Sequence, residues 1–330
     1  MNVKLLNQQV KISFTRSALL FIILTLAVAC SSKNESETAS TSEDVVEELE
    51  PELPVYEYAV VGLEFDGPTS IPSGWTTIRL KNMSAMVHFA LIERLPEGIT
   101  VEDQQDSVAP VFQNFMDNFN GKELSEPEIG MELPAWFGNI VFLGGPGLTS
   151  PNTTSEATLY LQPGNYMMEC YVKTDGIFHS YNPDPDRNGM VLGLTVTDET
   201  SSRPEPTATS ELVISSENGF ELRGTPSLGE NTIKVTFTDQ NAYANFVGHD
   251  VHLVKLTEGA SLDSVNAWMD WTKPHGLETP APATFLGGVN EMPPGQTSYM
   301  NVTLEPGDYA FVAEVPDPAS KNLLVTFTLQ

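Results

Sequence analysis

The chain repeats itself. Residues 142–166, FLGGPGLTSPNTTSEATLYLQPGNY, align without a gap on residues 285–309, FLGGVNEMPPGQTSYMNVTLEPGDY, and eleven of 25 positions are identical. Upstream, HFALIERLPEG (88–98) aligns with HDVHLVKLTEG (249–259), which sets His88 on His249 and Leu95 on Leu256. Two blocks repeated in the same order mean one structural unit made twice, so a fold proposed for one half has to serve the other. Between the blocks each half carries a helical stretch. The first is TVEDQQDSVAPVFQNFMDNF, with Thr100 as N-cap and Asp103 three residues on; the second is SLDSVNAWMDW, capped by Ser261.

Strand signals dominate the rest. Apolar and polar residues alternate along 75–80, 158–161 and 191–196 in the first half, and along 232–237 and 324–329 in the second. Pro163-Gly164 and Pro306-Gly307 each form a turn directly before a Tyr-led strand. Many short strands between Pro/Gly turns predict an all-β chain of two tandem β-sandwiches, each with a short helical insertion. Residues 197–210, TDETSSRPEPTATS, hold two prolines and no large apolar side chain and read as a linker. The expected domains are therefore 54–198 and 211–330, joined by 199–210.

The N-terminus reads as an address. Lys4, Lys11 and Arg16 precede an apolar run from Ala18 to Ala29, a secretory pattern too short for a comfortable membrane span. The run ends Leu26-Ala27-Val28-Ala29-Cys30, which resembles a bacterial lipoprotein signal: residues 1–29 would be removed and Cys30 lipidated. Ser31 after the cysteine favours, by the same resemblance, an outer-membrane destination. Residues 30–53 are Ser, Thr and Glu with few apolar side chains, an acidic tether that cannot build a core. The chain carries net −28, and its first 29 residues hold three basic groups and no acid, so the remainder is near −28 − 3 = −31. That charge argues against nucleic acid and against a peripheral grip on anionic lipid.

Of the two cysteines, Cys30 is committed to lipid, which leaves Cys170 without a disulfide partner in an oxidising envelope. A lone thiol there calls for burial or a metal. Cys170, His179 and Met190 follow one another along one stretch, and His88 lies upstream in a strand-like run. A thiolate, two imidazoles and a thioether suit a soft or borderline metal, copper above all, with two His and one Cys in a plane and a weak axial Met.

The same residues resemble a family. Leu80-Lys81-Asn82 ahead of His88, then Leu161, Pro163, Gly164, Tyr166 and Cys170, then His179 and Gly189-Met190 before a Val-rich strand, are similar to the pattern of the cupredoxins. The resemblance covers nearly all of the first half. It implies a Greek-key sandwich and one type 1 copper ion held by His88, Cys170, His179 and Met190. The chain departs from the family in its spacing: eight residues separate Cys170 from His179 and ten separate His179 from Met190, where the family's loops are much shorter. Phe89 also stands where many relatives place a polar side chain. In the second half Cys170 falls on Ala313, Met190 falls near Leu323, and only His249 persists, so that half reads as a degenerate copy.

Other constellations carry less. His249 and His252 with Asp250 have the residue types of a zinc site, against a plainer reading as hydrogen-bonded histidines. Asp184-Pro185-Asp186-Arg187-Asn188-Gly189 opens like a calcium loop but has Thr195 at the twelfth position. Met83, Met86, Met167 and Met168 add thioethers. No Gly-rich phosphate loop, G-x-S-x-G or H-E-x-x-H occurs, so no enzyme is expected. Three readings follow: an envelope lipoprotein that carries electrons or copper for a partner protein, a metal-free surface or structural module of two degenerate sandwiches, and a copper store.

Overall fold

The computed structural model describes residues 53–330, so the leader, Cys30 and the tether lie outside the described residues. The first half runs β1 (Val55–Val61), β2 (Glu64–Asp66), β3 (Ser70–Asn82) and β4 (Leu91–Arg94). Helices α1 (Val101–Ser107), α2 (Ala109–Phe119) and α3 (Glu126–Ile129) follow, then β5 (Val141–Phe142), β6 (Thr154–Leu161), β7 (Gly164–Glu169), β8 (Lys173–Thr174), β9 (Ile177–Phe178) and β10 (Val191–Thr200). The second half runs β11 (Ser210–Ser215), β12 (Gly219–Arg223), β13 (Gly229–Phe237), β14 (Val251–Leu256), α4 (Leu262–Trp268), β15 (Thr284–Val289), β16 (Thr297–Leu304), β17 (Gly307–Val312) and β18 (Leu324–Leu329). The chain is all-β with a helical insertion in each half, as the alternation predicts. Residues 201–209 between the halves hold no strand or helix. Among the described residues no helix is long and apolar enough to cross a membrane.

Each half is a two-sheet sandwich, and the main pairings recur in both. In the first, β1 forms a hairpin with β2 and runs parallel to β3, and β3 pairs antiparallel with β6. In the second, β11, β12, β13 and β16 repeat that arrangement. The facing sheets are β5-β4-β7-β10 and β15-β14-β17-β18. β3 reaches both sheets of its sandwich: Ser70–Ser73 run parallel to β10, and Gly74 onward pairs with β6. Gly74 at that corner has φ 108°, a conformation that side chains resist.

The two halves join through equivalent strands. β6 pairs antiparallel with β16, with Ala157 opposite Met300, its own counterpart in the repeat. Pro146 likewise bridges Val289, again its counterpart. These matched pairs mark an internal pseudo-two-fold axis. Buried and half-buried polar side chains line it: Thr77 and Thr158 share a hydroxyl–hydroxyl bond of 2.7 Å, Asn301 Nδ2 donates to Thr158 Oγ1 at 3.0 Å, and Thr232 donates to Asn301 Oδ1 at 3.1 Å. One apolar core then runs from Tyr58, Ile78 and Leu159 of the first half to Trp268, Phe285 and Val312 of the second, and another, around Leu212, Ile233 and Phe311, lies within the second half. Each such side chain, removed from water, contributes about 1.5–3 kcal/mol.

The helices begin where their sequence says. Thr100 and Asp103 form a reciprocal capping box on α1, and Ser261 accepts from the Ser264 N–H at the start of α4. Pro110 cannot donate a helical hydrogen bond, and the helical stretch breaks at Val108 into α1 and α2.

Candidate metal centre

His88 does not sit within a strand ladder. It lies just ahead of β4 and exchanges a pair of backbone hydrogen bonds with Thr149 at 3.1 and 2.7 Å. Asn82 Nδ2 donates to the Met86 and Thr149 carbonyls and holds this corner closed. Cys170 follows the last residue of β7, and its N–H donates to the Met190 carbonyl at 3.2 Å. The Met190 N–H donates to the His179 carbonyl at 2.6 Å. Backbone bonds therefore tie Cys170, His179 and Met190 into one knot.

The side chains converge as well. Cys170 Sγ lies 3.6 Å from His88 Nδ1 and 3.9 Å from His179 Nδ1, and all three residues are buried. Donors bound at about 2.0–2.3 Å in a trigonal array round one ion stand about 3.5–4 Å apart, so these spacings leave room for one ion between them. Both rings are aimed from behind. His88 Nε2 bonds Ser84 Oγ at 2.8 Å, and His179 Nε2 bonds Thr174 Oγ1 at 2.9 Å. With Nε2 occupied, each ring presents Nδ1 to the sulfur. Met190 is fully buried in the same core, joined to the other residues through its backbone.

Burial shapes the electrostatics. It lowers the His88 pKa to about 3, helped by His179, and lowers that of His179 to about 4, so both rings are neutral ligands near pH 7. Burial pushes the Cys170 thiol up to about 12, although the Phe89 and Val172 N–H groups donate to the sulfur and favour thiolate. Phe89 thus supplies a backbone donor where its side chain has none.

The two long gaps close on themselves. Between Cys170 and His179 the chain makes a hairpin, β8 to β9, around Asp175-Gly176, both at positive φ (53° and 75°). Beyond His179, residues 181–189 form a loop whose ends meet: Asn182 Nδ2 donates to the Asn188 carbonyl at 3.1 Å, and Gly189 lies against the Ser180 backbone. The Asp184 and Asp186 region is a run of side-chain-capped turns within this exposed loop. The helical insertion braces both segments. Gln105 bonds the Ser180 carbonyl and the Gly189 N–H, and Gln113 bonds the Gly176 carbonyl and the Phe178 N–H. The second half adds Leu277, whose carbonyl accepts from the Lys173 N–H at 2.8 Å, and Thr279, whose hydroxyl meets that of Thr174 at 2.9 Å.

The degenerate half keeps the backbone and not the donors. Ala313 N donates to the Leu323 carbonyl at 3.0 Å, the counterpart of the Cys170–Met190 bond. His249 bonds the Tyr243 hydroxyl at 2.9 Å. His249 and His252 do not converge. His252 belongs instead to a buried group with Asp250 and Glu314 whose ligand atoms lie within 4.8 Å of one another. There His252 Nδ1 accepts from the Leu148 N–H at 3.0 Å and Nε2 faces Asp250 Oδ2 at 2.8 Å. An Nδ1 acceptor fixes the proton on Nε2, so the ring has no lone pair left for zinc. Met167 and Met168 are core residues, and Met86 accepts from the Thr174 hydroxyl at 3.2 Å, one hydroxyl away from His179.

No family model and no curated protein matches the chain. Solved structures do. One is a dithionite-reduced auracyanin from Roseiflexus castenholzii, 22% identical, covering 44% of this chain and 98% of that one at a TM-score of 0.25. Another is auracyanin A, a "blue" copper protein from Chloroflexus aurantiacus, 21% identical, covering 43% of this chain and 98% of that one at a TM-score of 0.25. A third is a copper-containing nitrite reductase from Thermus scotoductus, 14% identical, covering 84% of this chain and 61% of that one at a TM-score of 0.20.

Proposed function

We propose that the first half binds one copper ion through His88, Cys170 and His179, with Met190 as a weak fourth ligand. The protein then carries single electrons for a partner in the cell envelope, anchored to the outer membrane by lipid on Cys30. The observation that supports this reading is the buried thiol between two Nδ1 atoms at 3.6 and 3.9 Å. A thiolate and two imidazoles with a thioether are the donor set of copper electron-transfer sites. Bound there, copper supplies a one-electron couple.

The chain's own residues do the rest. Ser84 and Thr174 hold the rings in one orientation, so the donor geometry persists whichever charge the ion carries. The Phe89 and Val172 N–H groups steady the sulfur. His179 lies one hydroxyl from partly exposed Thr174 and Met86, which offers a short route from the buried centre to a docked partner.

Copper titration of the chain from Ser31 onward, followed by visible absorption, tests the reading. An intense blue or green band saturating at one copper per chain and lost in Cys170→Ser is expected. Absence of both band and tight copper would leave a metal-free paired sandwich. Stoichiometric copper(I) without colour would point to storage or delivery instead. Palmitate labelling lost in Cys30→Ser checks the anchor.

A further inference from the structure

A cavity of about 290 Å³ lies between the two halves. Its walls are aromatic, with Phe112, Phe142 and Phe178 from the first half and Phe246 and Trp271 from the second. Three carboxyl groups, Glu93, Glu169 and Glu291, line it beside the neutral Gln104, Ser180 and Asn245, and no Lys, Arg or His does. Glu93 is 3% exposed, and its carboxyl group hydrogen-bonds that of Glu169. Burial, with Glu169 and Glu291 as like-charged neighbours, pushes the Glu93 carboxyl well above the usual carboxylate range. A buried cluster of carboxyl groups with no basic side chain lining the cavity is costly to ionise, and a cation entering the cavity would offset that cost.

The mouth of the cavity is built in a way that costs stability. Phe246 has φ 66°, an uncommon conformation for a bulky residue, and is 54% exposed. It stacks on Phe115 with ring centroids 6.0 Å apart and meets Phe112 edge-on at 6.1 Å. Trp271 in turn meets Phe112 and Phe178 at 6.0 and 5.4 Å. An exposed aromatic held in a strained turn over an aromatic chamber is the kind of strain found at ligand clamps.

We infer that this cavity binds a small organic ammonium ion with an apolar body, its charge against Glu93 and Glu291 and its body among Phe112, Phe178 and Trp271. Aromatic faces attract cations, and the attraction strengthens in a dry site. An anion would meet only repulsion. A neutral molecule would fill the apolar space but leave the carboxyl cluster without a counter-charge. The site uses no donor of the proposed metal centre, so it stands or falls separately from copper.

Titration calorimetry of the full-length chain with 2-phenylethylammonium, paired with Trp271 fluorescence, tests the inference against 2-phenylethanol as the neutral isostere. Saturable binding of one ammonium per chain is expected, tighter than the alcohol by about ten-fold or more. Glu93→Gln should weaken the ammonium by about ten-fold and leave the alcohol unchanged. Phe246→Ala, at an exposed position, should weaken both ligands. Glu291→Gln takes the place of Glu93→Gln if circular dichroism shows that variant unfolded. Equal affinity for alcohol and ammonium, no saturable binding, or indifference to the carboxylate substitution would each overturn the inference. In that event the cavity is a void in which the buried acids share protons among themselves.

Discussion

At the scale of single residues, the metal centre depends on two hydroxyls that touch no ligand atom of the proposed ion. Ser84 and Thr174 each occupy a histidine Nε2 and so decide which nitrogen faces Cys170. Ser84→Ala and Thr174→Val should each lower copper affinity by about 10–100-fold in a competitive titration, with little change in fold. The thiol itself should be inert in the metal-free protein. Cys170 is fully buried and its pKa is pushed up to about 12, so at pH 8 a thiol reagent should label it only after denaturation. Rapid labelling of the native form would mean that the site opens. Cysteine, histidine and methionine are legible in the sequence because few side chains share their chemistry. Their aim is not, because it is set by Ser84 and Thr174, which look like any other polar residues.

At the scale of elements, the long spacings in the ligand stretch are answered by local closure. The Asp175-Gly176 pair is a two-residue hairpin signal that the sequence displays openly, and it removes most of the gap between Cys170 and His179. The second gap is closed by Gly189, and nothing in sequence spacing shows that contact. A Cβ at Gly189 would overlap the Ser180 carbonyl group, in the turn that carries His179 to Met190. Gly189→Ala should destabilise the protein by about 2–4 kcal/mol and weaken copper binding, measured by urea unfolding and titration together. Gly62→Ala is the control. Its φ is 62° but a Cβ there meets nothing within 4 Å, so the expected cost is the conformational strain alone, about 1 kcal/mol, with copper binding untouched. The helical insertion was legible at its caps, Thr100 and Ser261, since capping is local chemistry. Its role was not, because Gln105 and Gln113 reach partners more than sixty residues away.

At the scale of the whole molecule, the duplication was legible and the joint was not. Thr158 and Asn301 read as ordinary strand residues until β6 and β16 pair and bring them together on the pseudo-axis. Near that joint Glu291 is half-buried, and its carboxyl is pushed up to about 7, first by loss of water and also by Asp250, against the Gly248 N–H that favours its charge. The folded chain therefore keeps a proton there between about pH 4.5 and pH 7, while the unfolded chain releases it. Glu291 contributes its full share below about pH 4.5, and that share is lost as pH rises through 7. Glutamine stays neutral at every pH and can still accept from Gly248. Glu291→Gln should thus match the parent near pH 4.5 and gain on it as pH rises, to about 1–3 kcal/mol more stable at pH 8. Urea unfolding at pH 4.5, 6 and 8 checks this. A variant no more stable than the parent at pH 8 would show that the folded protein already compensates the Glu291 charge. Repeating the pH 8 measurement with saturating 2-phenylethylammonium would then separate compensation by the protein from compensation by a bound cation.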